Sequence, residues 1–132
     1  MELSLDDVMD LRSRERFVRA ETPDELEQYY RLIMPVLVKA GREVGYCIAG
    51  FGSFRRDLDL IAAPWVADHC DRDTLARALQ SSVSGIVNEK YIWGHEKPCG
   101  RTGTVFAIGF HAVVDLQLMP DTSEFITDSY WG

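Results

Sequence analysis

An α+β fold, with helices layered on a mixed but mostly antiparallel sheet, is what this sequence predicts. Three observations lead there. Apolar residues recur at helical spacing behind recognisable caps, and four short runs alternate or concentrate apolar residues between glycine and proline breaks. The segments follow one another as ααββαββ, without repeats or low-complexity stretches, so one domain over 1–132 is expected.

Residues 4–19 read as a first helix, with Ser4 and Asp7 as a cap and Val8, Leu11 and Val18 as a weak apolar stripe. The next helix has a stronger start. Thr22 is placed to cap, Pro23 takes the first helical position and Glu25 the third. Leu26, Tyr30, Ile33, Leu37 and Ala40 form its core-facing stripe; Pro35 should bend it and Gly41 end it. Two strands, 45–50 and 57–63, flank a glycine-containing turn, and Pro64 closes the second. Asp71 or Asp73 caps a third helix with the stripe Leu75, Leu79, Val83 and Ile86. A glycine- and proline-bearing loop covers 88–103, and the last strands are 104–110 and 112–119 around a tight connection at His111.

Composition narrows the function classes. Apolar residues make up 46% and charged residues 27%, the profile of a folded globular chain. A formal charge of −7 argues against nonspecific binding to a nucleic-acid backbone. No apolar run is long enough to span a membrane, and "MELSLDDVMD" lacks the form of a signal peptide, so a cytoplasmic location is expected. Cys47, Cys70 and Cys99 are odd in number and form no CxxC pair. With His69 and His95 they match no familiar zinc spacing.

The chemistry lies in the acids. In "RDLDLIAAPW" a strand would send Asp57, Asp59 and Ile61 to one face and Leu58 and Leu60 to the other. In "AVVDLQLM" Asp115 interrupts an otherwise apolar strand, sharing a face with Val113, Gln117 and Met119. Should the two strands be neighbours, three carboxylates converge, and like charges so placed need a cation. Magnesium suits them, as a hard ion that takes carboxylate oxygens and leaves room for phosphates. Two such ions about 3.5–4 Å apart would activate a hydroxyl and steady a leaving pyrophosphate. Gly52 and Ser53, in a turn at a strand end, offer backbone amides to a phosphate chain.

A strand ending in glycine-serine, then Asp-x-Asp, then a lone aspartate on a later strand resembles the nucleotidyltransferase superfamily of the polymerase-beta type. "RDLDLIAAPW" with "VVDLQLMP" is more narrowly similar to small phage and prophage proteins, over roughly residues 25–120. The resemblance implies a nucleotidyltransferase-like fold, with Asp57, Asp59 and Asp115 as catalytic and metal-binding residues. It implies a two-ion site for magnesium or manganese, with Gly52 and Ser53 on a nucleoside triphosphate. Only three residues separate Ser53 from Asp57, too few for the short helix usual there. Arg55 or Arg56 is the substitute phosphate ligand.

Other readings of these residues stand beside this one. Asp57 can pair with Arg55 or Arg56, and Asp115 can answer a donor on Trp93 or Gln117. Lys90, His95, Lys97 and Arg101 are either a loop over a nucleotide or a solvated surface. Tyr91, Trp93, Trp65 and Phe106 either stack a base or pack. For the whole chain, the alternative is a catalytically silent, phage-encoded binding protein. It would act in the host cytoplasm, inhibiting a host defence (anti-CRISPR-like) complex through its acidic surface.

Overall fold

The structure, a computed structural model, describes residues 22–94 and 100–120. The helix expected at 4–19 lies outside the described residues. Helix α1 (Pro23–Glu43) starts as its sequence dictates: the Thr22 hydroxyl accepts from the Glu25 amide at 3.1 Å. Helical structure continues past Pro35, which sits on its exposed side. Tyr29, Tyr30, Ile33, Leu37 and Gly41 are its buried residues.

Gly41 does not end the helix. A Cβ there would lie 2.3 Å from Ile48 Cγ1, so the glycine is a point of close approach between α1 and the sheet. The exit comes later, at Val44, and Gly45 with φ +97° turns the chain into β1 (Tyr46–Phe51). β2 (Leu58–Pro64) follows, then α2 (Arg72–Ser84), capped by Asp71 through the Thr74 amide at 2.7 Å. α2 stops at Gly85 in the left-handed region, which leaves Ile86 outside the helix and 58% exposed rather than on the stripe.

β3 (Thr102–Ala107) and β4 (Val113–Leu118) complete a four-stranded sheet in the order β1-β2-β4-β3. The turn between them carries positive φ at both Phe110 and His111, so β3 stops short of the expected 110. β1 and β2 are antiparallel, as are β3 and β4, while β2 and β4 run parallel at the centre. A parallel pair requires a crossover, supplied here by α2 and the segment after it. The fold is therefore α+β, with a mixed, mostly antiparallel sheet.

Alternation divides the sheet's two faces. Ile48, Leu58, Leu60, Ala62, Val114 and Leu116 are buried in the core beneath the helices. Asp59, Ile61, Asp115 and Gln117, offset by one residue, take the other face and are only half-buried. Among the described residues no helix is long and apolar enough to cross a membrane.

Candidate functional site

β2 and β4 align Leu58 with Val114 and Asp59 with Asp115. Directly opposed residues of adjacent strands share a face, so the two carboxylates are neighbours on the face away from the helices. The row continues across the sheet as Phe51, Asp59, Asp115 and Val105. An acid pair thus lies between two apolar residues, in the middle of the sheet.

Asp57 immediately precedes β2 and is exposed. Its charge nevertheless reaches Asp59. Burial pushes the Asp59 carboxyl above its usual range, and the charges of Asp115 and then Asp57 push it further. Two like charges are thus felt at one carboxyl. No ion pair to Asp57, Asp59 or Asp115 exists among the described residues, and no three His, Cys, Asp or Glu side chains there are arranged to chelate a metal ion unaided.

The turn between β1 and β2 borders this pair. Gly52 has φ +82°, and a Cβ on it would lie 3.0 Å from Asp59 Oδ2, so its backbone sits against the carboxylate. Phe54 folds the other way. Its ring makes an edge contact with Tyr30 at 6.5 Å and lies over Gly50, where a Cβ would meet Phe54 Cζ at 2.8 Å. Arg31 stacks on the same ring at 5.2 Å.

The two turn arginines part company. Arg55 Nη1 donates to Asp24 Oδ1 at 2.7 Å and Glu27 Oε1 at 3.3 Å, both in the first turns of α1. These contacts hold the turn to the helix. Arg56 is exposed and makes no ion pair among the described residues. Ser53 is occupied locally, its hydroxyl accepting from the Arg55 amide at 3.3 Å. Trp93 donates to Asp73 at 2.7 Å, not to Asp115, and Tyr91 and Phe106 are buried against each other. Lys90 and Arg101 fall outside this group of residues, while His95 and Lys97 lie outside the described residues.

Sequence reasoning passed over Tyr30 as a residue of the site, treating it as part of the α1 stripe. Its hydroxyl donates to the Arg56 carbonyl at 2.7 Å and accepts from the Val113 amide at 3.3 Å. One side chain thus ties the end of the turn to the start of β4, just before both acids. Burial first, and then Asp57 and Asp59, push its phenol up to about 12. The only sequence signal was a tyrosine where phenylalanine would satisfy an apolar stripe.

Tyr30→Phe should cost about 1–3 kcal/mol, because Val113 N–H and the Arg56 carbonyl lose a partner in a largely buried place. A raised tyrosine pKa favours the neutral form in the fold. That stabilisation is complete below pH 10 and is lost as pH rises through about 12. Urea melts from pH 8 to 12 should therefore show the two proteins converging at the alkaline end. A constant gap would contradict the assignment. Set against protein-family models, curated proteins and solved structures, the chain matches none of them.

Proposed function

We propose that the Asp59–Asp115 pair, with Asp57 beside it, is a divalent-cation-dependent site that transfers a nucleoside monophosphate from a triphosphate to a hydroxyl. The observation that carries this reading is the register, which opposes two carboxylates, without an ion pair among the described residues, on neighbouring parallel strands. The donor set fits magnesium or manganese. Such ions are commonly held by one or two carboxylates, with the remaining positions left to water and substrate phosphates.

Asp59 and Asp115 would hold the ion, and Asp57 would approach from the strand mouth. The ion, when bound, supplies positive charge against the polyphosphate and makes a nearby hydroxyl easier to deprotonate. The chain's own part is positional. Gly52 keeps the turn's backbone against Asp59, and Tyr30 fixes the strand mouth. Arg56 is the turn cation left to meet a phosphate, since Arg55 is engaged with α1.

Paired thermal melts and transfer assays test this. A carboxyl raised in the fold favours the protonated form: its contribution is present below the ordinary aspartate pKa and lost as pH rises through the folded one. Charged Asp59 is then a liability at neutral pH without metal. Asp59→Asn should be as stable as wild type or more so at pH 7, and should lose any advantage near pH 3. With magnesium or manganese and a nonhydrolysable triphosphate the order should reverse. Wild type gains about 2.7 kcal/mol at a hundredfold excess over the dissociation constant, and Asp59→Asn and Asp115→Asn gain little.

Labelled triphosphate should pass to an acceptor with wild type and not with Asp59→Asn. Identical wild-type melts with metal, with metal and nucleotide, and with chelator would sink the proposal. One observation favours the silent binding protein instead. The commitment of Arg55 to α1 removes a phosphate ligand from the turn. That reading predicts a complex with a host defence protein that survives Asp59→Asn, with no label transfer.

A further inference from the structure

The two edges of the sheet are unequal. β3 has cover: Gly94 and Gly103 exchange backbone hydrogen bonds at 2.8 and 2.9 Å, and the Thr104 hydroxyl donates to the Ile92 carbonyl at 2.7 Å. β1 pairs only with β2 among the described residues. Its sequence, YCIAGF, has no charge and no proline, the usual means of blunting a strand edge.

The direction of the free backbone groups follows from the ladder. The Trp65 amide donates to the Gly45 carbonyl at 2.7 Å, which makes Gly45 and Trp65 a hydrogen-bonded pair. Antiparallel pairs alternate, so Cys47 and Ala49 also bond inward to Ala63 and Ile61. Ile48 and Gly50 then turn their N–H and C=O groups outward, and these find no partner among the described residues.

Beside this edge lies a cleft of about 330 Å³ lined by Val38, Arg42, Tyr46, Cys47, Ile48 and Trp65. α1 forms one wall and the β1 edge forms the other. Tyr46 is buried and fixed, its hydroxyl donating to the Cys70 carbonyl at 2.7 Å. Trp65 is 70% exposed and lines the cleft, so most of its aromatic surface is open there. Arg42 is exposed on the helix wall and makes no ion pair among the described residues, in a chain whose formal charge is −7.

We propose that this cleft is a docking groove for an extended peptide segment of a partner protein, which adds a strand beside β1. The segment carries an acidic residue toward Arg42 and an apolar residue against Trp65. Main-chain hydrogen bonds to Ile48 and Gly50 supply affinity, and the two side-chain contacts supply selection. A carboxylate is the natural partner for an uncommitted guanidinium. A second copy of this chain fits less well, because β1 offers no acidic residue to the opposing Arg42. The groove, walled by α1 and the β1 edge, is distinct from the acid pair, which lies on the open face of the next two strands, β2 and β4.

The probe is a fluorescein-labelled octapeptide of alternating valine and threonine with one central glutamate, followed by anisotropy on the full chain. Saturable binding is expected. Replacing the glutamate by lysine, or Arg42→Glu in the protein, should weaken it about tenfold or more. N-methylation of alternate peptide amides should abolish binding in one register and spare it in the other. Asp59→Asn should bind as wild type does, which separates this groove from the acid site. No binding at millimolar probe, equal binding by both N-methylated forms, or indifference to Arg42→Glu would overturn the proposal. So would a concentration-dependent dimer that the probe dissociates, which would assign the edge to a second copy.

Discussion

Gln80→Leu should destabilise the protein by about 3–5 kcal/mol, a large part of a typical domain's stability. Gln80 is 2% exposed and uses its amide fully. Its Nε2 donates to Asn88 Oδ1 at 2.9 Å and the Ala107 carbonyl at 2.8 Å, and its Oε1 accepts from the Asn88 amide at 2.9 Å and from the Tyr91 hydroxyl. One side chain on α2 thereby fastens the following segment and the end of β3. Leucine matches the volume but leaves several buried polar groups unpaired, each worth about 1–3 kcal/mol. Denaturant melts of a double-mutant cycle with Tyr91→Phe check the mechanism. On wild type Tyr91→Phe should cost about 1 kcal/mol, whereas on Gln80→Leu it should recover stability by removing an orphaned hydroxyl. A cost below about 1 kcal/mol for Gln80→Leu would show that water replaces the amide.

Gly45→Ala carries the second large effect, expected at about 2–4 kcal/mol from two separable causes. Its φ of +97° strains any L side chain. A Cβ would also sit 2.6 Å from His69 Cα and 2.7 Å from His69 Cβ. The obstacle is backbone, so no rotamer change relieves it. Moving the chain away would break the 2.7 Å bond from the Trp65 amide to the Gly45 carbonyl. Gly100→Ala is the control. It has φ +72° and, among the described residues, a Cβ there would meet only Pro120 Cγ at 3.8 Å, so it should cost about 1 kcal/mol from backbone strain. If the two substitutions cost the same, the clash contributes nothing.

The parts of this fold that were legible from sequence are those set by local forces. Thr22 and Pro23 announce α1, Asp71 announces α2, and the apolar alternation around Leu58, Leu60, Val114 and Leu116 assigns both central strands a buried face. That Asp59 and Asp115 both turn away from the core follows from the same period. Their adjacency does not, because strand order and register depend on packing between distant segments. Gly41 shows a different failure: a glycine late in a helix looks like a stop, and only the position of Ile48 reveals a close approach. Arg55 was open for a similar reason. Its partners Asp24 and Glu27 lie far upstream and become neighbours only once the turn folds onto α1.

The parallel pairing of β2 with β4 also bears on when the acid pair comes into being. Asp59 and Asp115 belong to segments separated by α2, β3 and three connections, and they meet only when that long loop closes. Contacts of such sequence separation form late, because chain entropy is lost before they return any energy. A ligand held by both acids would then be absent from the folding transition state. It would slow unfolding and leave the folding rate almost unchanged. Occupancy of the pair would act as a kinetic lock on the native chain, with no power to guide its assembly.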